Sequence, residues 1–377
     1  MKQKLLIDSI SLLSPLTGIG RYTHEIAKYI EKDNNFKINY FYGYYSKKLI
    51  HPSDKENIKI LKSLISRSPF IKKIIRKVII IYSKIITPKY DIYWQPSFIP
   101  NLCIKTNKII TSVHDFTFVL HRDFHPKERI EYFEKYFFKN VVRSDIIITG
   151  SEFSKQEILE QLNFPPEKVK VIYHGIDHEL FRVSNDLNLN FELPSKFIFS
   201  VGSIEPRKNL LGLLEAYNLL DDSLKKEYKL VLAGFKGWEN KEIMTLIERN
   251  KENIHYLGFI SDFELVKVYN LATCFIFTSF YEGFGLPVLE SMACGTPVIC
   301  SNTTSMPEVG GDAVIYCNPY DVEDIKNQIK LVLFDKNLQQ EMIKKGLERA
   351  KLFSWEKSAK EHIKVFKEVL SENSINS

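Results

Sequence analysis

The sequence predicts an α/β protein built from two doubly wound domains, and three observations carry that prediction. Short apolar runs alternate with helical patterns along the chain, as parallel βαβ units require. The rhythm breaks once, at a polar, weakly patterned stretch over 184–192, and then restarts. The length of 377 residues corresponds to two domains of about 150. In order, the first half reads as strands over 4–7, 38–42, 91–94, 109–113, 145–149 and 170–173, with helices over 21–32, 127–140 and 154–162. The second half reads as strands over 197–201, 229–233, 254–256, 274–277, 298–300 and 313–316. Its helices fall at 210–218, 241–250, 262–271, 288–293, 322–334 and 338–353.

Composition bounds the function. Charged residues make up 26% and the hydrophobic set 44%, a globular balance that excludes disordered, collagenous and coiled-coil arrays. Cys103, Cys274, Cys294, Cys300 and Cys317 are scattered with no CxxC pair. That argues against a disulfide framework or thiolate zinc site and suits a reducing cytosol. The opening residues MKQKLLIDSISLL break their apolar run at Asp8 and show no small-residue cleavage site, so no signal peptide is read. The longest strongly apolar run, 78–82, is too short to cross a bilayer. The expected location is the cytoplasm, either free or peripheral at a membrane.

The net charge of +6 is unevenly spread. Residues 46–89 hold twelve Lys or Arg against only Asp54 and Glu56, so this stretch carries +10 and the remainder −4. Over 65–86, Ile71, Ile74, Ile75, Val78, Ile79, Tyr82, Ile85 and Ile86 recur at helical spacing. Lys72, Lys73, Arg76 and Lys77 fall largely on the other face. Such a helix suits an anionic membrane surface, or a domain surface that buries its isoleucine stripe. Few aromatics interleave these charges, so nucleic acid is not an expected partner.

Ligands of doubly wound sheets sit at the carboxyl ends of strands, so the strand-to-helix turns are where chemistry is sought. The turn PLTGIGRY (15–22) sets Gly18 and Gly20 ahead of a helix, where amides can approach a phosphate; an unliganded tight turn is the alternative. Thr23 stands where a dinucleotide fingerprint needs its third glycine, which argues against NAD. The turn VGSIEPRKN (201–209) offers Asn209 as an N-cap. Arg207 and Lys208 there oppose the helix dipole unless something negative binds. A diphosphate leaving group would do so and would be stabilised without a metal; a solvated pair, or a salt bridge to Glu205 or Glu215, is the alternative.

The run FYEGFGLPVLESMACGTP (280–297) carries the most information. A strand enters a Gly-x-Gly loop, Pro287 suits the first helical position, Glu282 sits at the loop's entrance and Glu290 is expected in the first turn. Carboxylates held there suit sugar and ribose hydroxyls. His114, Asp115, His121, Asp123 and His125 lie within twelve residues; solvated side chains and metal ligands are both open readings, and no metal is expected. His174 reads as a core histidine or as a cleft residue.

Glu282 and Glu290 around EGFGLPVLE, with Arg207-Lys208 upstream, closely resemble the retaining glycosyltransferases of family 4. The architecture of that family, two Rossmann-like domains facing a central cleft, is called GT-B. The same order of motifs continues in Gly18–Tyr22, VHD (113–115), SEFS (151–154), YHGID (173–177), LGFI (257–260) and PEVGG (307–311). One departure is Thr17, where many members carry glycine.

The resemblance implies roles. Arg207 and Lys208 would grip the donor's diphosphate, and Glu290 would bind the ribose hydroxyls. Glu282 with the backbone of Gly283, Phe284, Gly285 and Leu286 would hold the sugar. Phe259 and Ile260, after Gly258, would flank the nucleobase. Gly18 and Gly20 would close over the phosphate, and His114 would sit by the reacting carbon. Configuration would be retained by same-face attack, with the departing phosphate taking the acceptor's proton. The implied layout is an acceptor-side domain over 1–184, a linker over 185–195, a nucleotide-sugar domain over 196–353, and a helix over 354–377 crossing back. No metal or other cofactor is required.

HDF at 114–116 followed by FHP at 124–126 is similar to the branch that contains many mannosyltransferases of surface-polysaccharide assembly. GDP-mannose is therefore the leading donor, ahead of UDP-glucose, UDP-N-acetylglucosamine and dTDP-rhamnose. With the basic helix and no membrane span, the expected acceptor is a lipid-linked O-antigen or capsule oligosaccharide at the inner face of the cell membrane. The alternatives are a nucleotide-sugar epimerase of the same fold and a non-catalytic sugar-nucleotide-binding protein.

Overall fold

The computed structural model describes residues 2–13, 18–50, 69–86, 88–235, 237 and 241–371. Thr17 and residues 65–68 of the expected basic helix lie outside them. Contacts divide the chain into two units. The first is Met1–Asp115, Glu128–His174 and Trp355–Ser377, and the second is Phe116–Lys127 with Gly175–Ser354.

The first unit carries β1 (Gln3–Asp8), β2 (Phe36–Phe41), β3 (Tyr45–Ser46), β4 (Tyr90–Gln95), β5 (Thr106–Ser112), β6 (Ile146–Thr149) and β7 (Val169–Val171). Their order is β3-β2-β1-β4-β5-β6-β7, parallel throughout except for β3, an antiparallel edge on β2. The second unit carries β8 (Phe197–Val201), β9 (Lys229–Ala233), β10 (Ile254–Tyr256), β11 (Cys274–Phe277), β12 (Val298–Ser301) and β13 (Ile315–Cys317). Their order is β10-β9-β8-β11-β12-β13, all parallel. Strand order reverses between β1 and β4 and between β8 and β11. Turns leaving those strands diverge and open a crevice.

Both faces of the second sheet are covered, which explains why its strands read as continuous apolar runs. Successive side chains point to opposite faces. Phe197, Phe199, Val231, Phe275, Phe277, Val298 and Cys300 enter one core with helices Asp262–Leu271 and Leu286–Ala293. Ile198, Leu230, Leu232, Cys274, Ile276 and Ile299 enter the other, under helices Leu210–Asn218, Lys241–Arg249 and Val322–Phe334. Ile176 and Phe181 belong to the first of these cores, with Leu189, Phe191 and Leu193 packed against it. Residues 175–184, assigned from the sequence to the first domain, and much of the stretch 185–195, assigned as a linker, therefore cover a face of the second sheet.

Most helices and strands begin and end within three residues of their expected bounds. Helix Gly18–Ile30 starts three residues earlier than expected, so Gly18 and Gly20 occupy its first turn and form no tight loop. Helix Pro69–Ile86 splits the isoleucine stripe. Ile79 packs on the cluster of Leu6, Phe41, Tyr90, Tyr93 and Ile104. Ile74, Val78, Ile81 and Ile85 are 44%, 58%, 58% and 71% exposed.

Helix Trp355–Ser371 packs on helix Gly18–Ile30 within the first unit. A buried hydrogen-bond chain joins them. Trp94 Nε1–H donates to Ser112 Oγ at 3.0 Å, Ser112 pairs with the Tyr22 hydroxyl at 2.8 Å, and that hydroxyl meets His362 Nε2 at 2.6 Å. His362 Nδ1 lies 2.7 Å from the Ser358 carbonyl, which only accepts, so Nδ1 carries the proton and Nε2 accepts from Tyr22. Burial pulls the His362 pKa down to about 4, against the raising effect of the Ser358 carbonyl.

Tyr22→Phe strands the buried His362 Nε2 and is expected to lower stability by about 1–3 kcal/mol in urea titrations followed by tryptophan emission. A histidine held below its unfolded pKa of about 6.5 contributes stability that is full above that value and is lost as pH falls towards 4. His362→Gln, which keeps an acceptor for Tyr22, should flatten that acid limb.

Candidate active site

The turns leaving β8 and β11 flank the second sheet's reversal, and both deliver charge there. After β8, residues Pro206–Lys208 form a single 3-10 turn. Arg207 Nη1 lies 2.7 Å from Glu282 Oε2 and 2.9 Å from the Tyr281 carbonyl, and Nη2 lies 2.8 Å from Glu205 Oε1. Lys208 Nζ lies 2.6 Å from Glu282 Oε1 and 4.7 Å over the Phe277 ring. Two cations thus share one carboxylate, with Glu205 bringing the four groups to neutrality. The salt bridge to Glu205, one of the alternatives open from the sequence, is present.

Electrostatics follow from burial. Burial alone would raise the Glu282 pKa, but Arg207 and Lys208 override it and hold the carboxyl down at about 2. Burial, then Arg207, pull the Lys208 pKa below its ordinary value against the opposing effect of Glu282.

Local backbone explains the placement. Asn209 stands at the expected N-cap of helix Leu210–Asn218, at φ +51°, but its side chain makes no capping bond. Its Nδ2 donates to the Pro319 carbonyl at 2.7 Å, and Thr278 Oγ1 donates to its carbonyl at 3.3 Å. Gly234, at the end of β9, has φ +137°, and a Cβ there would stand 1.9 Å from the Gly202 carbonyl oxygen. The β8 turn lies this close because position 234 has no side chain.

The acidic loop is braced by hydroxyls after β12 that sequence reading missed. Thr303 Oγ1 donates to the Phe280 carbonyl, Thr304 Oγ1 accepts the Glu282 amide at 3.2 Å, and Ser305 Oγ donates to the Glu282 and Phe284 carbonyls. The signal was the run SNTTS at a strand's carboxyl end.

The other expected donor-binding residues each have their own local partners. Gly285, at φ +102°, is the N-cap of helix Leu286–Ala293, so Leu286 rather than Pro287 is its first residue and Glu290 sits in the second turn. Glu290 is buried and accepts from the Tyr269 hydroxyl at 3.3 Å. Phe284 is buried, its ring edge-on to Phe353. Phe259 is 62% exposed and stacks on Phe235 at 4.5 Å, whereas Ile260 turns into the core.

In the first unit, His114 follows β5 and is buried. Its Nε2–H donates to the Pro96 carbonyl at 2.8 Å, which leaves Nδ1 as the proton acceptor, and burial keeps its pKa below the ordinary value. Phe98, in the left-handed region at φ +65°, sets its ring edge against His114 at 5.4 Å. Ser154 Oγ donates to the His114 carbonyl, which gives the SEFS run its local purpose. His174 is a buried member of the aromatic cluster with Tyr22, His114 and Trp355. Asp8, at the end of β1, accepts from the Tyr93 hydroxyl, and burial raises its pKa to about 6. Among the described residues no three His, Cys, Asp or Glu side chains gather as a metal site.

The family model "Glycosyltransferase Family 4" matches residues 16–180, and "Glycosyl transferases group 1" matches 185–349. The chain is 32% identical over 381 residues to O-antigen chain mannosyltransferase B of Escherichia coli, covering 97% of this chain and 99% of that protein. It is 36% identical over 239 residues to serotype-specific mannosyltransferase WbdA of Escherichia coli, covering 60% of this chain and 29% of that protein. Sucrose-phosphate synthase from Thermosynechococcus elongatus superposes with a TM-score of 0.70 at 17% identity, over 98% of this chain and 100% of that one. Anabaena Alr3699/HepE in complex with UDP and glucose superposes at 0.66 with 16% identity, over 97% and 100%. The two-domain GT-B fold is common to them.

Glu282→Ala leaves Arg207 and Lys208 buried with Glu205 alone, and should cost about 3 kcal/mol in urea. Inorganic pyrophosphate should restore this variant more than it stabilises the parent protein. An equal response in both would refute the cation pair as an anion seat.

Proposed function

The chain belongs to glycosyltransferase family 4, and we propose that it transfers mannose from GDP-mannose, with retention, to a growing lipid-linked oligosaccharide of surface polysaccharide. The observation that carries this reading is the buried Arg207–Lys208–Glu282 cluster at the reversal point of the second sheet. The likeness to O-antigen chain mannosyltransferase B over nearly the whole chain supports the sugar and the acceptor.

In this mechanism the donor's diphosphate displaces Glu282 from the two cations, and the freed carboxylate accepts from the sugar hydroxyls, beside the amides of Gly283, Phe284, Gly285 and Leu286. Arg207 and Lys208 then neutralise charge as the C1–O bond to phosphate breaks, with no metal required. The acceptor oxygen bonds to C1 on the same face, and its proton passes to the departing phosphate oxygen. Glu290 binds the ribose, and Phe259, with the backbone at Ile260, flanks the guanine. The first-turn amides at Gly18 and Gly20, which have no intrahelical partner, donate to the phosphate. His114, its Nδ1 open as an acceptor, serves the sugar at the reacting carbon.

We place the enzyme at the cytoplasmic face of the membrane. No described helix is long and apolar enough to cross a membrane. The support is the exposed stripe of Ile74, Val78, Ile81 and Ile85 beside exposed Lys77 and Lys84. Such a helix lies in the headgroup plane of anionic lipid.

GDP-mannose at a hundred times its dissociation constant should add about 2.7 kcal/mol of stability, and UDP-glucose far less. Lys208→Ala should abolish that gain and lower kcat by about a hundredfold or more. Indifference to every sugar nucleotide would sink the assignment. Val78→Glu with Ile81→Glu should release the protein from phosphatidylglycerol vesicles in co-sedimentation, while transfer to a water-soluble acceptor persists.

A further inference from the structure

We propose that Tyr320 is a saccharide-stacking platform, and that it engages a pyranose of the acceptor; the inference rests on the transferase reading above. Within the second unit four rings stand in a file. His121 stacks on Phe124 at 5.0 Å and 8°, Phe124 on Phe280 at 6.1 Å and 15°, and Phe280 on Tyr320 at 4.9 Å and 24°. His121 and Phe124 come from Phe116–Lys127, the segment that leaves the first sheet's sequence to pack with the second unit. The Phe116 amide donates to the Tyr281 hydroxyl at 3.1 Å, and His121 sets its ring edge-on to Tyr281 at 5.3 Å.

The outer end of the file is held firmly and left open. Tyr320 is 66% exposed, and Phe280 is its ring partner among the described residues. Its backbone is pinned on both sides. Asn209 Nδ2 donates to the Pro319 carbonyl, the Tyr320 amide donates to Asn318 Oδ1, and Asp321 caps helix Val322–Phe334. Single exposed aromatics are commonplace. This one is distinguished by a rigid mount on the charged turns themselves, because Asn209 follows Lys208 and the Phe280 amide donates to the Arg207 carbonyl at 3.0 Å.

The chemistry selects a sugar. An aromatic face is electron-rich, and the axial C–H bonds of a pyranose present a weakly positive apolar patch that lies flat on it. The phenolic hydroxyl at the wet edge of Tyr320 can pair with a ring hydroxyl. Phe280 fills the inner face, so one flat partner can be added, on the solvent side, beside the seat proposed for the donor's phosphates.

The test uses α-linked mannotriose as the saccharide probe on the full chain. Saturation-transfer NMR and titration are run for the parent protein, Tyr320→Ala and Tyr320→Phe. Tyr320→Ala should weaken mannotriose about three- to tenfold, with saturation transfer lost from the sugar C–H protons. Tyr320→Phe, which keeps the ring, should stay within about twofold. The KM for GDP-mannose and the urea midpoint should not move in either variant. Unchanged mannotriose binding in Tyr320→Ala overturns the proposal, as does a loss confined to GDP-mannose, which would make Tyr320 a base-stacking residue. Absence of mannotriose binding in the parent protein overturns it too. If sugar nucleotides leave the parent protein unaffected while the Tyr320→Ala loss is seen, the donor reading fails and the platform stands.

Discussion

Two cations buried against one carboxylate set the terms for the rest of the second unit. Burying charge is costly unless it is paired and hydrogen-bonded, and here Lys208 shares its one ion-paired carboxylate, Glu282, with Arg207. Glu282 serves Arg207 and Lys208, and Arg207 draws on Glu205 and the Tyr281 carbonyl. The cluster is neutral, with two cations and two carboxylates paired within it. Donors held in place this way are oriented before any negative charge develops beside them.

Holding such a cluster demands a stiff frame, and the frame is mostly backbone and hydroxyl. Asn209 and Thr304 sit in the left-handed region without being glycine, at φ +51° and +57°. Each is held there by partners outside its own turn, namely the Pro319 carbonyl for Asn209 and the Glu282 amide for Thr304. Strain of this kind persists where neighbours over-determine it. Phe98 does comparable work in the first unit, where a bulky residue at φ +65° presents its edge to His114.

What was legible in the sequence follows from range. Strands such as Phe197–Val201 and Cys274–Phe277 were readable because their apolar runs are local. The charged residues of the site were readable because their types are unusual at a strand's end. The pairing of Glu282 with both cations spans 74 residues or more, and composition does not encode which alternative partner wins. Asn209 is the N-cap residue of Leu210–Asn218 as read, but its side chain makes no capping bond and its Nδ2 donates instead to a carbonyl 110 residues away. Phe116–Lys127 read as part of the first domain because its neighbours in sequence belong there, while its neighbours in space are Tyr281 and Phe280. The limits of the linker failed because Leu189, Phe191 and Leu193 are too sparse to register as a pattern, yet suffice to cover a sheet face.

The closing helix has a consequence for biosynthesis. Trp355, His362 and Phe366 fill the aromatic centre of the first unit, around Tyr22 and Trp94. As the chain leaves the ribosome, the amino-terminal sheet is translated first but lacks that filling until the final seventeen-residue helix emerges. The run 175–354 is uninterrupted and holds its own two cores. Vectorial synthesis therefore completes the later unit before the earlier one, and the nascent amino-terminal half waits with a vacant seat, a period in which exposed apolar surface invites chaperones.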